Sequence, residues 1–252
     1  LYTNPSIFKG DINNIQVYGM TGMDELLTKT PDFLLSGESV VKVIQSCCPV
    51  ITDAWKLSSY DVEPLLMAIR IATRGNTYDV YHTCPHCGSE NEYNIDLSSA
   101  LDYYSTCKYE PQLVINGLTI NIKPLTYSDR TKISIENFNL IQHGRHIDSV
   151  QDQNERLKLM SDFNESVADL QYKFVASSIQ SIDTGSGIIQ DYDFIEEWIK
   201  NVENYVTTEI KLLISTNNEV WGSPKQSVFC DNCQNTSDVR IELDPSFFFD
   251  KA

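Results

Sequence analysis

Four cysteines dominate the chemistry available to this chain. Cys84-Pro85-His86-Cys87 and Cys230-Asp231-Asn232-Cys233 are both Cys-x-x-Cys pairs. Two intervening residues let both thiolates of a pair point at one ion while turn amides face their sulfurs. Zinc accepts a tetrahedron of four such sulfurs, and four thiolates leave no open position for water, which a catalytic zinc site normally keeps. The spacing therefore predicts one structural zinc ion held by Cys84, Cys87, Cys230 and Cys233, and architecture rather than hydrolysis. Two separate reduced knuckles or redox pairs are the alternative. A thioredoxin-like motif is disfavoured because each pair sits between strand-like runs rather than opening a helix. His82 and His86 flank the first pair as substitute ligands, although four thiolates already suffice.

Both pairs lie in a strand, a tight knuckle and a second strand, as in "TYDVYHTCPHCGSENEYNIDL" and "QSVFCDNCQNTSDVRIEL". An ordinary zinc ribbon separates its pairs by roughly 15–20 residues. Here the second pair begins at Cys230, far beyond Cys87. One shared ion would tie the start of the middle region to the chain's end, and the metal would remove the freedom of a very long loop. The expected fold is α+β. Residues 1–75 form an N-terminal helical region and 76–110 the first half of a split zinc ribbon. Residues 111–224 form a helix-rich insertion, and 225–252 the second half with an aromatic tail.

Local signals fill in these regions. After a loose lead-in strand, "ESVVKVIQSCC" has helical spacing at Val40, Val43, Ile44 and Cys47. In "SSYDVEPLLMAIRIATRG", Ser59 can cap a helix, Asp61 and Glu63 suit its positive end, Pro64 its first turn and Gly75 its end. Leu65, Leu66, Ile69 and Ala72–Thr73 would form its buried face. Asn116-Gly117 between alternating β-rich runs predicts a hairpin. Two helices joined through Gly144 follow, with His143 and His146 in the loop between them. "SIDTGSGIIQD" reads as a short β-turn-β element, and "DYDFIEEWIKNV" and "NYVTTEIKLLIS" as two further helices. The adjacent Cys47 and Cys48 read as small buried or half-buried hydrophobes.

Composition narrows the function classes. The chain has 252 residues and a formal charge of −16. Residues 1–150 carry 11 Lys and Arg against 17 Asp and Glu, and residues 151–252 carry 8 against 18. That field repels phosphate backbones, so no nucleic-acid partner is expected. No apolar run approaches the roughly 18 residues of a membrane span. The N-terminus lacks the basic start and apolar stretch of a secretory signal and has no initiator Met, which reads as a trimmed form. Seven cysteines, an odd number in two close pairs plus three, suit a reducing compartment and synthesis in a cytoplasm. No phosphate-binding loop, serine elbow or His-Glu-x-x-His helix appears. Asp183-Thr184-Gly185 superficially resembles an aspartic-protease signature but has no second copy. The chain reads as a non-enzyme.

The runs "NNIQVYGMTGMDELLTKTPDFLLSGESV", "TCPHCGSENEYNIDLS", "SIDTGSGIIQDYDFIEEWI" and "FCDNCQNTSDVRIELDPSFFF" occur in that order. From about Ile15 to Phe249 the chain resembles the baseplate proteins of T-even-type contractile phages, a family that includes a hub subunit and a hub assembly factor. The resemblance implies a bacteriophage tail protein, structural or assembly-directing, at the central hub of the virion baseplate. Its partners would be other tail and hub proteins, and it would be made in the host cytoplasm. No catalytic residues come with that family, and only the four cysteines carry over. Gln234 stands where Gly88 follows the first pair, a departure from an ideal ribbon. The tail Phe247–Phe249 packs under the ribbon or is offered to a partner. A zinc-ribbon adaptor in a transcription or replication complex is the alternative function.

Overall fold

A computed structural model describes residues 2–12, 14–29, 36–147 and 149–241. The fold mixes helices with small antiparallel sheets. The chain divides into two compact units, one of residues 1–108 with 220–252 and the other of residues 109–219. The Phe247–Phe249 tail lies outside the described residues.

In the first unit, helices α1 (Gly22–Thr28), α2 (Glu38–Cys47) and α3 (Ser59–Arg74) precede a hairpin of β1 (Thr77–Thr83) and β2 (Glu90–Asp96). Thr21 and Asp24 form a reciprocal capping box at the start of α1. Val40, Val43, Ile44 and Cys47 make the buried stripe of α2. Each such apolar side chain contributes about 1.5–3 kcal/mol by leaving water. Cys48 is buried as well, because it is the capping residue and turns away from helical geometry. The lead-in segment is a short 3-10 turn, Pro5–Ile7, rather than a strand.

Helix α3 is capped by Ser58, one residue before the expected Ser59. Leu65, Leu66 and Ile69 are buried as expected, but Ala72 is exposed and Met67 takes the deep position. Asp61 does more than meet a helix dipole. Its carboxylate accepts from the Thr3 hydroxyl at 2.6 Å and from the Tyr2 and Thr3 amides at 2.8 Å each. Burial pushes its pKa upward against those bonds.

A helix that the hydrophobic spacing did not announce, α4 (Leu97–Thr106), follows β2 directly and is capped by Asp96. The chain returns to this unit at Val220, followed by Trp221. Its ring lies 5.6 Å from Tyr60 and 6.3 Å from Tyr104 in stacked geometry, and 4.8 Å edge-on from Tyr2. The Tyr103 hydroxyl donates to the Val220 carbonyl at 2.8 Å, and Ser223 to Glu63 at 2.9 Å. These contacts fix the start of the second hairpin, β7 (Lys225–Phe229) and β8 (Thr236–Arg240).

The second unit is built on a four-stranded antiparallel sheet in the order β3 (Gln112–Ile115), β4 (Leu118–Ile122), β5 (Ile179–Asp183), β6 (Ile188–Ile189). Asn116 and Gly117 have φ of 53° and 75°, the left-handed pair that a two-residue hairpin turn requires. Ile120 pairs with Ile182, so the two predicted β elements form one sheet. Its apolar face packs on α7 (Tyr192–Asn201) and α8 (Asn204–Val220) through Ile195, Ile199, Val206, Ile210 and Ile214.

Between β4 and β5 run two long helices, α5 (Tyr127–Ile147) and α6 (Gln153–Ser178). Gly144 does not join them. It lies within α5, where a Cβ would approach the Phe163 ring to 3.2 Å, so its missing side chain admits that ring. His143 and His146 are accordingly on a helix, not in a loop.

Candidate metal centre

The four cysteines sit on two matching hairpins. In the first knuckle the Gly88 amide donates to the Cys84 carbonyl at 2.9 Å and the Cys84 amide to the Ser89 carbonyl at 2.9 Å. In the second, the Gln234 amide donates to Cys230 at 2.9 Å and the Cys230 amide to Asn235 at 3.0 Å. The same pattern requires a left-handed residue at the same place. Gly88 has φ of 72° and Gln234 of 61°. The Gln-for-Gly difference therefore changes the strain of the turn and not its shape.

The two knuckles meet. Cys87 Sγ lies 3.6 Å from Cys230 Sγ, and Cys84 Sγ lies 3.7 Å from Cys233 Sγ. All four sulfurs fall within 4.8 Å of one another, and all seven cysteines are free thiols. A tetrahedron with metal–sulfur bonds of about 2.3 Å has sulfur–sulfur edges of about 3.8 Å. The four side chains are thus close enough to hold a metal ion, with two edges near the ideal. Cys84 and Cys230 are buried, Cys233 is half-buried and Cys87 is exposed.

Side chains other than the cysteines surround the sulfurs with donors. The Ser89 hydroxyl is 3.1 Å from Cys87 Sγ and 3.2 Å from Cys230 Sγ. Asn91 on β2 donates its amide to Cys230 of the opposite knuckle at 3.6 Å. Asn232 reciprocates across to Cys87 at 3.6 Å, and Asn235 donates to Cys233 at 3.5 Å. Asn91 Oδ1 also accepts from the Asp231 amide at 3.4 Å. Sequence reading missed these four residues, since Ser and Asn beside a knuckle read as turn formers. The recurrence of Ser and Asn within and just after the two motifs was the available signal.

These donors reshape the thiol acidities. The Ser89 hydroxyl, aided by the Cys233 and Asn232 amides, draws Cys230 down to about 5. Ser89 also lowers Cys87. The Asn235 amide pulls Cys233 downward, but burial and the neighbouring cysteines outweigh it and push that thiol up to about 11. The pocket thus favours negative sulfur at its centre while resisting four bare charges, which is the electrostatic situation a cation relieves.

The remaining candidates lie elsewhere. His82 Nε2 is 3.2 Å from Ser237 Oγ, linking β1 to β8 without joining the sulfurs. Among the described residues the cluster contains the four cysteines and neither His82 nor His86. Burial pushes Cys47 to about 11 and Cys48 to about 12, the state of unreactive core thiols. Asp183 accepts from the Gly185 amide at 2.8 Å, and Thr184 bonds to Gly187, so that motif closes a turn. Among the described residues no helix is long and apolar enough to cross a membrane.

The family model described as T4 bacteriophage base plate protein matches residues 20–249. No curated protein and no solved structure matches the chain.

Proposed function

The chain belongs to the T4 bacteriophage base plate protein family, and on that premise we propose that it is a non-enzymatic component of the baseplate hub. Its work is protein–protein contact with other tail proteins, made after synthesis in the host cytoplasm. The observation that carries the structural part of this reading is the four-sulfur cluster, whose donors all come from side chains and turns that serve the thiolates. A closed cluster of this kind leaves no position at which a substrate or water could be activated.

We assign zinc to the cluster on the chemistry of its donors. Four thiolates in two knuckles suit zinc, which imposes no geometry of its own. Zinc there would supply cross-linking, turning two hairpins into one split ribbon around residues 109–219. Asn91 and Asn232 hold the two halves in register, and Ser89 bridges them. The family match lends no support to the transcription or replication adaptor alternative.

The decisive experiment is quantitative mass spectrometry of purified virions beside electron microscopy of tails made without this protein. A hub component is present at fixed stoichiometry, and its loss stops baseplates from forming. Normal baseplates without it would overturn the assignment.

A further inference from the structure

The pair α5 and α6 is longer than the core that anchors it. Between Arg130 and Asp169, Ile147 alone is buried among the described residues. The two helices run side by side with Gly144 against Phe163, and Ile133, Asn137 and Leu140 line one groove between them with Val167, Leu170 and Phe174. A second set of large apolar side chains has no cover: Phe138 is 54% exposed, Ile141 46%, Leu157 60% and Met160 45%.

Helical geometry places that second set. At 3.6 residues per turn, Phe138 and Ile141 lie roughly 70–130° round α5 from that groove, and Leu157 and Met160 roughly 50–110° round α6 in the same sense. Because the helices are antiparallel, the same sense puts both pairs on one face of the arm. Arg145 and Asn164 share that face by the same periodicity. The carboxylates of Glu136, Glu155, Asp162 and Asp169 turn to the other side, where Glu136 meets Lys173 at 3.5 Å and Asp169 meets Lys200 of α7 at 3.2 Å. In a chain with 35 acidic residues, this is a face without a carboxylate. Aromatic, Met and Arg with acids excluded is the composition of an interface centre.

The spacing on this face fits itself. The contact of Gly144 with Phe163 sets Met160 level with Ile147, so the Leu157–Met160 pair lies about 14 Å along the arm from the Phe138–Ile141 pair. A two-fold axis across the arm, level with Gly144, sets each pair level with the other pair of a second copy, on the diagonally opposite helix of the bundle. That is the self-complementarity an isologous contact needs.

We propose that this face is a homotypic interface, in which a second copy of the chain packs its arm antiparallel to form a four-helix bundle. Residues 127–178 carry 6 Lys and Arg against 8 Asp and Glu, so the arm contributes only −2 of the −16 charge that otherwise opposes self-association. Two helices side by side, each about 30 Å long and 10 Å wide, present about 600 Å² in projection. Side-chain interdigitation brings this toward the roughly 800 Å² per partner of a standard interface. The stems of the two Arg145 side chains flank the axis and carry their guanidinium groups out to the wet rim.

This inference goes beyond the proposed function and is independent of the metal, so its test can fail while that reading stands. Light scattering after size exclusion of the full chain, metal site loaded, should give a mass near twice 28.6 kDa. Phe138→Asp and Leu157→Asp should each return a monomer with unchanged circular dichroism, and Glu155→Ala on the opposite face should remain dimeric. Mixing Ile141→Cys with Met160→Cys protein should give a disulfide-linked heterodimer in higher yield than either alone. A wild-type monomer at all concentrations up to about 100 μM overturns the proposal. So does a dimer that survives both Asp substitutions, or equal cross-linking in the mixture and the single variants.

Discussion

Cys84 and Cys233 stand 149 positions apart in the chain, and their sulfurs lie 3.7 Å apart in the fold. That contact commits both halves of the first unit to one point, and most of what can be tested follows from it.

One metal ion per chain is the expected content. Elemental analysis of purified protein should give one zinc, and cobalt replacement should give the intense sulfur-to-metal absorption and visible bands of a tetrahedral four-thiolate site. Two ions per chain, or a disulfide within either pair, would contradict a shared centre.

Cys230→Ser should cost more than one ligand. Structural zinc contributes about 10 kcal/mol or more of apparent binding free energy at neutral pH, comparable to the stability of a whole domain. The β7–β8 hairpin should become protease-sensitive and tail-partner capture should fail. A variant that resists limited proteolysis and still binds its partners would show that the metal is dispensable.

Asn91→Ala should leave a folded protein that holds zinc about 10–100-fold more weakly, the usual effect of losing a side chain that orients a metal ligand. Asn91 faces Cys230 across the two knuckles, so the competition is best read by chelator titration against wild type.

Gln234→Gly should stabilise the protein by about 1 kcal/mol by relieving a left-handed non-glycine residue. Gly88→Ala should destabilise the matching turn by a similar amount. Thermal melts of both variants should move in opposite directions, and shifts of the same sign would show that the two turns are not equivalent.

Acidity gives a further handle on the metal-free protein. Cys230 is lowered from 9.0 to about 5, so its contribution to stability is present above 9.0 and is lost as pH falls through about 5. Ser89→Ala removes the largest cause of that shift. Melting of chelated protein between pH 9 and 5 should therefore fall less steeply for Ser89→Ala than for wild type. Iodoacetamide should modify the exposed Cys87 first once zinc is removed, with Cys47 and Cys48 untouched.

Both knuckles were legible because strand alternation and Cys-x-x-Cys spacing are local signals, as was the Asn116-Gly117 turn. The sheet that joins β4 to β5 was not, because Ile120 and Ile182 are paired by tertiary packing that no local period encodes. Helix α4 escaped because a strand leads into it without a break, its cap Asp96 being also the last residue of β2. Gly144 read as a break because glycine usually is one, whereas here the Phe163 ring occupies the space a side chain would take. The asparagine donors were hidden by their own versatility. Only the folded positions of Asn91 and Asn232 show that each serves the other hairpin's cysteine.

The Glu110 amide donates to Asn217 Oδ1 at 2.9 Å, and Asn217 Nδ2 donates back to the Glu110 carbonyl at 2.9 Å. The two ends of residues 109–219 are therefore clasped to each other. A segment whose ends are held together can lengthen or shorten between them at little entropic cost, because the cost of closing a loop grows only slowly with its length.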